Sequence, residues 1–166
     1  MPRAFVTYSR IADGTPVVPV RRLRIFAEND RRRHFVEVYI WAHLWQMRAT
    51  WNFPRIKGRR ILAHFYSFIE SSDTPDRLGR TITSRKIGEI HLCTKGITCN
   101  TIAHEAYHAT RQYARRAGNS EPSTSEEHAA IGPNYDLPEE RNARFQGEVT
   151  DQIIAAINEI NGHKPR

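Results

Sequence analysis

The sequence predicts a single α+β domain over residues 1–166: a small, mostly antiparallel sheet, then a helix carrying two histidines one turn apart, then a closing C-terminal helix. Three observations predict it. Runs rich in β-branched and aromatic residues, broken by Gly, Pro and polar turns, recur up to Cys93. An alanine-rich, proline-free stretch runs from Thr101 to Ala117 and stops at Gly118. A last amphipathic stretch opens at Pro138 and reaches about Asn161, with Gly162 beyond it.

Taken in order, Phe5 to Ser9 and Val17 to Phe26 alternate or cluster as strands do, punctuated by Gly14, Pro16 and Pro19. From Asp30, a suitable N-cap, Phe35, Val38, Tyr39, Ala42 and Trp45 recur at helical spacing, which predicts a helix ending before Trp51-Asn52-Phe53-Pro54. The segment FVEVYIW inside it also reads as a strand. Arg60 to Glu70 and Arg85 to Cys93 read as strands around the turn-rich stretch SSDTPDRLGR. Asn100 is a natural N-cap for the histidine-bearing helix, and Gly118 supplies its stop. The connection GNSEPSTSEEHAAIGPNYDLP, with a short helical turn expected at Glu126 to Ile131, is long enough to suggest function or mobility. Pro138 then suits the first turn of the closing helix.

At 166 residues the chain can bury one core. It contains no run of 18 apolar residues, and MPRAFVTYSRIADG lacks the apolar centre of a signal peptide, so a soluble intracellular protein with no membrane partner is expected. Cys93 and Cys99, near the turn at Lys95-Gly96, read as two reduced thiols rather than a disulfide framework. Charge is uneven. Residues 1–60 carry a net +9 and residues 61–166 a net −2. The clusters Arg21, Arg22 and Arg24, then Arg31 to Arg33, then Arg55, Lys57, Arg59 and Arg60 lie near Trp41, Trp45 and Trp51. They fit a solvated or acid-paired face; a weak nucleic-acid contact is the alternative.

Residues 100–110 read NTIAHEAYHAT, in which His104, Glu105 and His108 form an HExxH pattern. Histidines at i and i+4 are about 40° apart around a helix and about 6 Å along it, so both rings can converge on one zinc ion. Glu105 would then reach the metal-bound water and act as its base. With eight histidines and twelve glutamates, random order gives roughly 0.03 such patterns in this chain, so the pattern is suggestive on its own and stronger in its helical context.

A catalytic zinc needs a third protein ligand. The extension HExxHxxGxxH is absent, since Ala109-Thr110-Arg111-Gln112 follows His108, which favours a glutamate. Glu140 is preferred because Ala143 and Gly147 lie below it at i+3 and i+7 and would let the two helices approach closely. Glu139 lies above Gln146 and Thr150 instead; His128 is a third option. The more apolar stripe, Phe145, Val149, Ile153, Ala156 and Ile160, is on another side, so the closing helix would have to pack on two faces.

The stretch IGEIHLCTKGITCNTIAHEAYHATRQYARR followed by EERNARFQGEVTDQI resembles the small HExxH metallopeptidase-like proteins of bacteriophages and prophages. These carry a strand, an AHExxHA helix and an EExxAxxxGxxxxxI helix. Here Ala103 to Ala109 match the second element, and Glu139, Glu140, Ala143 and Gly147 the third. The resemblance covers the C-terminal half and implies a zincin-like core over residues 57–166, a Zn2+ cofactor, a protein or peptide substrate, and a place in the host cytoplasm or the virion. Residues 1–56 fall outside it.

The resulting expectation is a zinc metallopeptidase in which His104, His108 and Glu140 hold the metal and Glu105 activates water. The strand Lys86 to Cys93 would lie beside the cleft and align an extended substrate by strand addition. His91, within that strand, is read as a paired surface histidine. Tyr135, His128 and Arg141 are candidates to stabilise an oxyanion. The rival expectation is a non-catalytic phage structural or interaction protein. Its metal would only tie helices together, and its basic N-terminal third would contact nucleic acid or a phage or host protein.

Overall fold

The computed structural model of the chain describes residues 17–28, 30–49, 61–67, 85–119 and 137–162. The expected strands at Phe5 to Ser9 and the helical turn at Glu126 to Ile131 lie outside these residues. FVEVYIW, expected within a helix, is a strand: β2 spans Phe35–Trp41. Its β-branched and aromatic residues suit a pleated ribbon; a strand bonds to each of its edges, and it is buried on both faces because Val36, Val38 and Ile40 meet the helix-side core while Tyr39 and Trp41 lie in a second cluster on the other face. Helix in this region is confined to α1, Leu44–Arg48.

Strand β1, Arg21–Phe26, runs antiparallel to β2, and β4, Lys86–Cys93, runs parallel to its other side. Strand β3, Ala63–Ser67, pairs antiparallel with β4. The order β1-β2-β4-β3 makes a mixed sheet, two antiparallel pairs joined by a parallel one. Strand β4 is therefore internal, bonded on both sides, and cannot add a substrate strand as expected. That edge belongs to β3.

Two long helices cover one face. Helix α2, Cys99–Ala117, is capped by Thr98 rather than Asn100: the Thr98 hydroxyl accepts the backbone N–H of Thr101 at 3.2 Å. It ends at Gly118, whose φ of 74° is the left-handed conformation that glycine adopts without strain. Helix α3 spans Pro138–Ile160. Val36, Val38, Ile40, Ile90 and Leu92 from the sheet meet Ile102, Ala106, Ala109 and Tyr113 of α2 and Phe145, Val149 and Ile153 of α3 in one core. Tyr113 and Phe145 sit with ring centroids 4.7 Å apart, so truncating Phe145 to alanine is expected to cost about 3–5 kcal/mol.

The opposite face is polar and nonetheless buried. A register shift in the β2–β4 pairing leaves Ile87 without a partner, which lets Ile87 join the helix-side core while Lys86 turns to the other face. There Lys86 reaches Glu89 at 2.5 Å and Glu37 at 3.5 Å. Val17, Tyr39, Trp41, Met47 and Cys93 form a second small core beside this network. Both cysteines are free, Cys93 buried and Cys99 exposed. No helix among the described residues is long and apolar enough to cross a membrane.

Candidate metal centre

The turn after β4 leads directly into α2, so α2 lies back across the sheet with its buried side, Ile102, Ala106 and Ala109, on the core. The period of 3.6 then places His104 and His108 together on the exposed side. Their Nε2 atoms are 3.1 Å apart and their rings stand at 82° to each other. Two nitrogens bound at 2.0–2.1 Å to a tetrahedral zinc would be about 3.3 Å apart. The pair thus has the separation a shared ion needs. Burial, with His104 and Arg111 as neighbours, pulls His108 below the usual imidazole range, which favours the neutral ring that binds metal.

Glu105 points to a different place. It is buried against the sheet edge, and its carboxylate accepts a hydrogen bond from the backbone N–H of Phe65. The sheet register explains why that donor is available. The Leu62 carbonyl accepts from the Cys93 N–H at 2.9 Å, and backbone groups alternate along a strand. His64 and Tyr66 therefore turn their amides toward β4, while Phe65 turns its amide outward. Burial pushes the Glu105 carboxyl above its usual range, against the opposing pull of His104 and the Phe65 N–H. A carboxyl so placed is suited to take and return a proton.

His104, Glu105 and His108 share a cleft of about 340 Å3 with His64, Phe65 and Arg111. The sequence reading did not place His64 or Phe65 there, since only the strand order brings β3 beside α2. Arg111 was within reach of sequence reasoning, because it follows His108 by three residues on the same helical stripe. Burial, with His91 and His108 nearby, also holds His64 below the usual imidazole range. It lines the cleft with the histidine pair, and its ring meets Tyr66 edge-on at 4.5 Å.

The expected third ligand is not beside them. Among the described residues no group of three metal-ligating side chains comes together. Asn142 donates to the Asn119 carbonyl at 2.9 Å, which sets the first turns of α3 against the end of α2. Asn119 is eleven residues beyond His108, about 16 Å along the helix axis. Glu139 lines an adjoining groove of about 390 Å3 with Tyr107, Thr110 and Ala114, roughly a third of a turn around α2 from the histidines, and Arg111 and Arg115 border both this groove and the histidine cleft. Glu140 and Arg141 line neither cavity. The stripe of small residues does not bring the helices together either: Gly147 is exposed, with open space where a Cβ would project. Helix α3 packs on the core through Phe145, Val149, Ile153, Ala156 and Ile157, with Ile154 and Ile160 partly buried beside them, because its apolar stripe outcompetes the small one for the core. His128 and Tyr135 lie outside the described residues.

His91 is an interior residue, 2% exposed, not a surface one. Its Nδ1 accepts from the Trp41 indole N–H at 3.2 Å, so its proton is on Nε2, which donates to Glu89 at 3.0 Å. The first basic cluster is largely committed as well. Arg22 and Arg24 bond Glu37 at 2.7 and 3.3 Å, and Arg21 pairs with Glu159.

Comparison with protein-family models, with curated proteins and with solved structures finds no match to this chain.

Proposed function

We propose that this chain is a zinc-dependent peptidase with a zincin-like core. The observation that carries the reading is the 3.1 Å separation of the His104 and His108 Nε2 atoms at the mouth of a cleft whose wall holds the buried carboxyl of Glu105. Zinc bound there would supply a Lewis acid and a water of lowered pKa. His104 and His108 would hold the ion. Glu105 takes a proton from the attacking water and returns it to the leaving amine. The outer edge of β3, which bears no further strand among the described residues, aligns an extended peptide through the outward backbone groups of Ala63 and Ser67 and the Phe65 carbonyl, the Phe65 amide being held by Glu105. His64 faces the same space and is placed to donate to a developing oxyanion. A third protein ligand would be needed to complete the site. Neither Glu140 nor Glu139 joins the histidine pair in a ligating group or lines its cleft, which leaves His128 as the preferred candidate of the three.

The test is zinc-dependent cleavage of an unstructured protein such as casein, abolished by chelation and by Glu105→Gln, and restored to the wild type by added zinc. Stoichiometric zinc with no cleavage of any unstructured chain would favour the rival, an interaction protein with a structural metal. One observation speaks for that rival: Glu105 already serves as acceptor for a strand-edge amide, a structural duty. The pairing of Arg21, Arg22 and Arg24 with acids leaves a nucleic-acid contact to the remaining basic residues. It should be weak and salt-sensitive.

A further inference from the structure

Helix α2 presents more than the histidine pair to the cleft. At 100° per residue, His104, His108, Arg111 and Arg115 fall within an arc of about 60°, and all four line the same cavity. Arg111 and Arg115 are exposed, and neither makes an ion pair or a side-chain hydrogen bond among the described residues. Arg111 has only the Tyr107 ring beneath it, at 6.0 Å. This sets them apart from Arg21, Arg22 and Arg24, each of which has a carboxylate. Two guanidinium groups without an ion pair among the described residues, one turn apart and beside the proposed reaction centre, are suited to hold an anion, although Glu139 lines the adjoining groove with both of them.

The direction of β3 says where that anion would be. Leu62, just before β3, lies by Gly96 in the turn that precedes α2, and Phe65 lies by Glu105. Strand and helix thus advance in the same direction, so Ser67, which also lines the cleft, points onward toward Arg111 and Arg115. Along the helix axis Arg111 is about 4.5 Å and Arg115 about 10.5 Å beyond His108. A peptide extended on the β3 edge rises about 3.3 Å per residue, so those distances correspond to residues one to three positions from the bond at the histidine pair.

We propose that Arg111 and Arg115 form a carboxylate-binding subsite, and that the substrate is a polypeptide with a carboxylate one to three residues from the cleaved bond. The carboxylate can be an Asp or Glu side chain or the chain's own C-terminus; both present the same group to a guanidinium pair. The subsite rests on the peptidase reading, but its binding can be measured without turnover.

The experiment uses the full-length Glu105→Gln protein loaded with zinc, and fluorescent Ala/Ser peptides. One set is amidated and carries a single Glu at successive positions, a second carries Gln instead, and a third is neutral with a free C-terminus. We expect either the Glu peptides or the free-C-terminus peptides to bind at least tenfold tighter than the amidated Gln peptides at low salt. Which of them does so identifies the source of the carboxylate. Adding Arg111→Gln and Arg115→Gln should abolish the difference with zinc content unchanged, and Arg111→Glu with Arg115→Glu should reverse it in favour of Lys-bearing peptides. Equal binding of all three sets, or a preference that survives in the double Gln variant, overturns the subsite. Failure of the wild type to cleave any peptide while the charge-dependent binding persists would remove the peptidase reading and leave the subsite standing.

Discussion

The Glu105 carboxylate accepts the outward backbone N–H of Phe65, so one residue of the HExxH pattern is fastened to the edge strand while its two histidine neighbours face the open cleft. This division predicts separable phenotypes. Glu105→Gln keeps an oxygen to accept the Phe65 N–H and removes only the base. The variant should retain wild-type zinc content and melting temperature, while kcat falls by about 10²-fold or more, the ordinary contribution of a general base. Loss of zinc in this variant would mean that Glu105 is a ligand or a fold determinant instead.

The edge strand depends on Gly88. A Cβ at this position would lie 2.3 Å from the Tyr66 carbonyl and 2.5 Å from the Phe65 ring, an overlap only backbone movement can relieve. Gly88→Ala should therefore push β3 away from β4. Peptide cleavage should fall and Tm should drop, yet zinc should stay bound, because His104 and His108 are both carried by α2. Zinc content and Tm of the purified variant check this directly. An alanine variant with wild-type Tm and activity would show that β3 does not need its present register.

Much of the site was legible in the sequence because it is local. His104, Glu105 and His108 lie within one helix whose alanines and Gly118 stop need no tertiary information, although its cap is Thr98 and not the expected Asn100. The strand β2 was harder. Val38, Tyr39 and Ala42 happen to fit a 3.6 period as well as an alternation, and only the presence of a strand on both sides decides between them. The parallel pairing of β2 with β4, and hence the placing of His64 and Phe65 in the cleft, is a long-range event with no sequence signature. The third ligand was argued from small residues on α3, and Gly147 shows the weakness of that argument: small residues permit close packing but do not cause it.

Acid stability should report the buried network on the other face. Burial alone would raise the carboxyl of Glu37, but the hydrogen bonds from Tyr39 and Arg22 and the charge of Lys86 more than reverse this and hold it below its usual range. A depressed folded-state value contributes stability that is present above the unfolded pKa and lost as pH falls through the folded one. Wild-type Tm should thus decline from about pH 5 downward, and Glu37→Gln should flatten that decline. At pH 7 the same variant should be less stable by about 3 kcal/mol, the low end for breaking a buried pair. Parallel acid profiles for the two proteins would assign the pH dependence elsewhere.

The third ligand can be sought by substitution. Glu140→Ala and Glu139→Ala should leave zinc affinity within about twofold, since Asn142 ties the first turns of α3 to Asn119 beyond the end of α2, and Glu139 opens on the adjoining groove rather than on the histidine cleft. Gly147→Leu should also bind zinc normally, and gain slightly in stability from helix propensity, because nothing occupies the space its side chain would enter. His128→Ala should weaken zinc binding at least tenfold. Competition with a chromophoric chelator gives all four affinities. A sharp loss in Glu140→Ala alone would restore the glutamate ligand and require α3 to approach the histidines when metal binds.

The most direct test of the metal centre is the zinc content of the purified protein by mass spectrometry, with the paired variant His104→Ala/His108→Ala alongside. Two imidazole nitrogens 3.1 Å apart predict about one zinc per wild-type chain and almost none in the double variant, with the helical circular dichroism of both proteins alike. Zinc that remains stoichiometric in the double variant, or a wild type that binds none at micromolar concentration, would contradict the account.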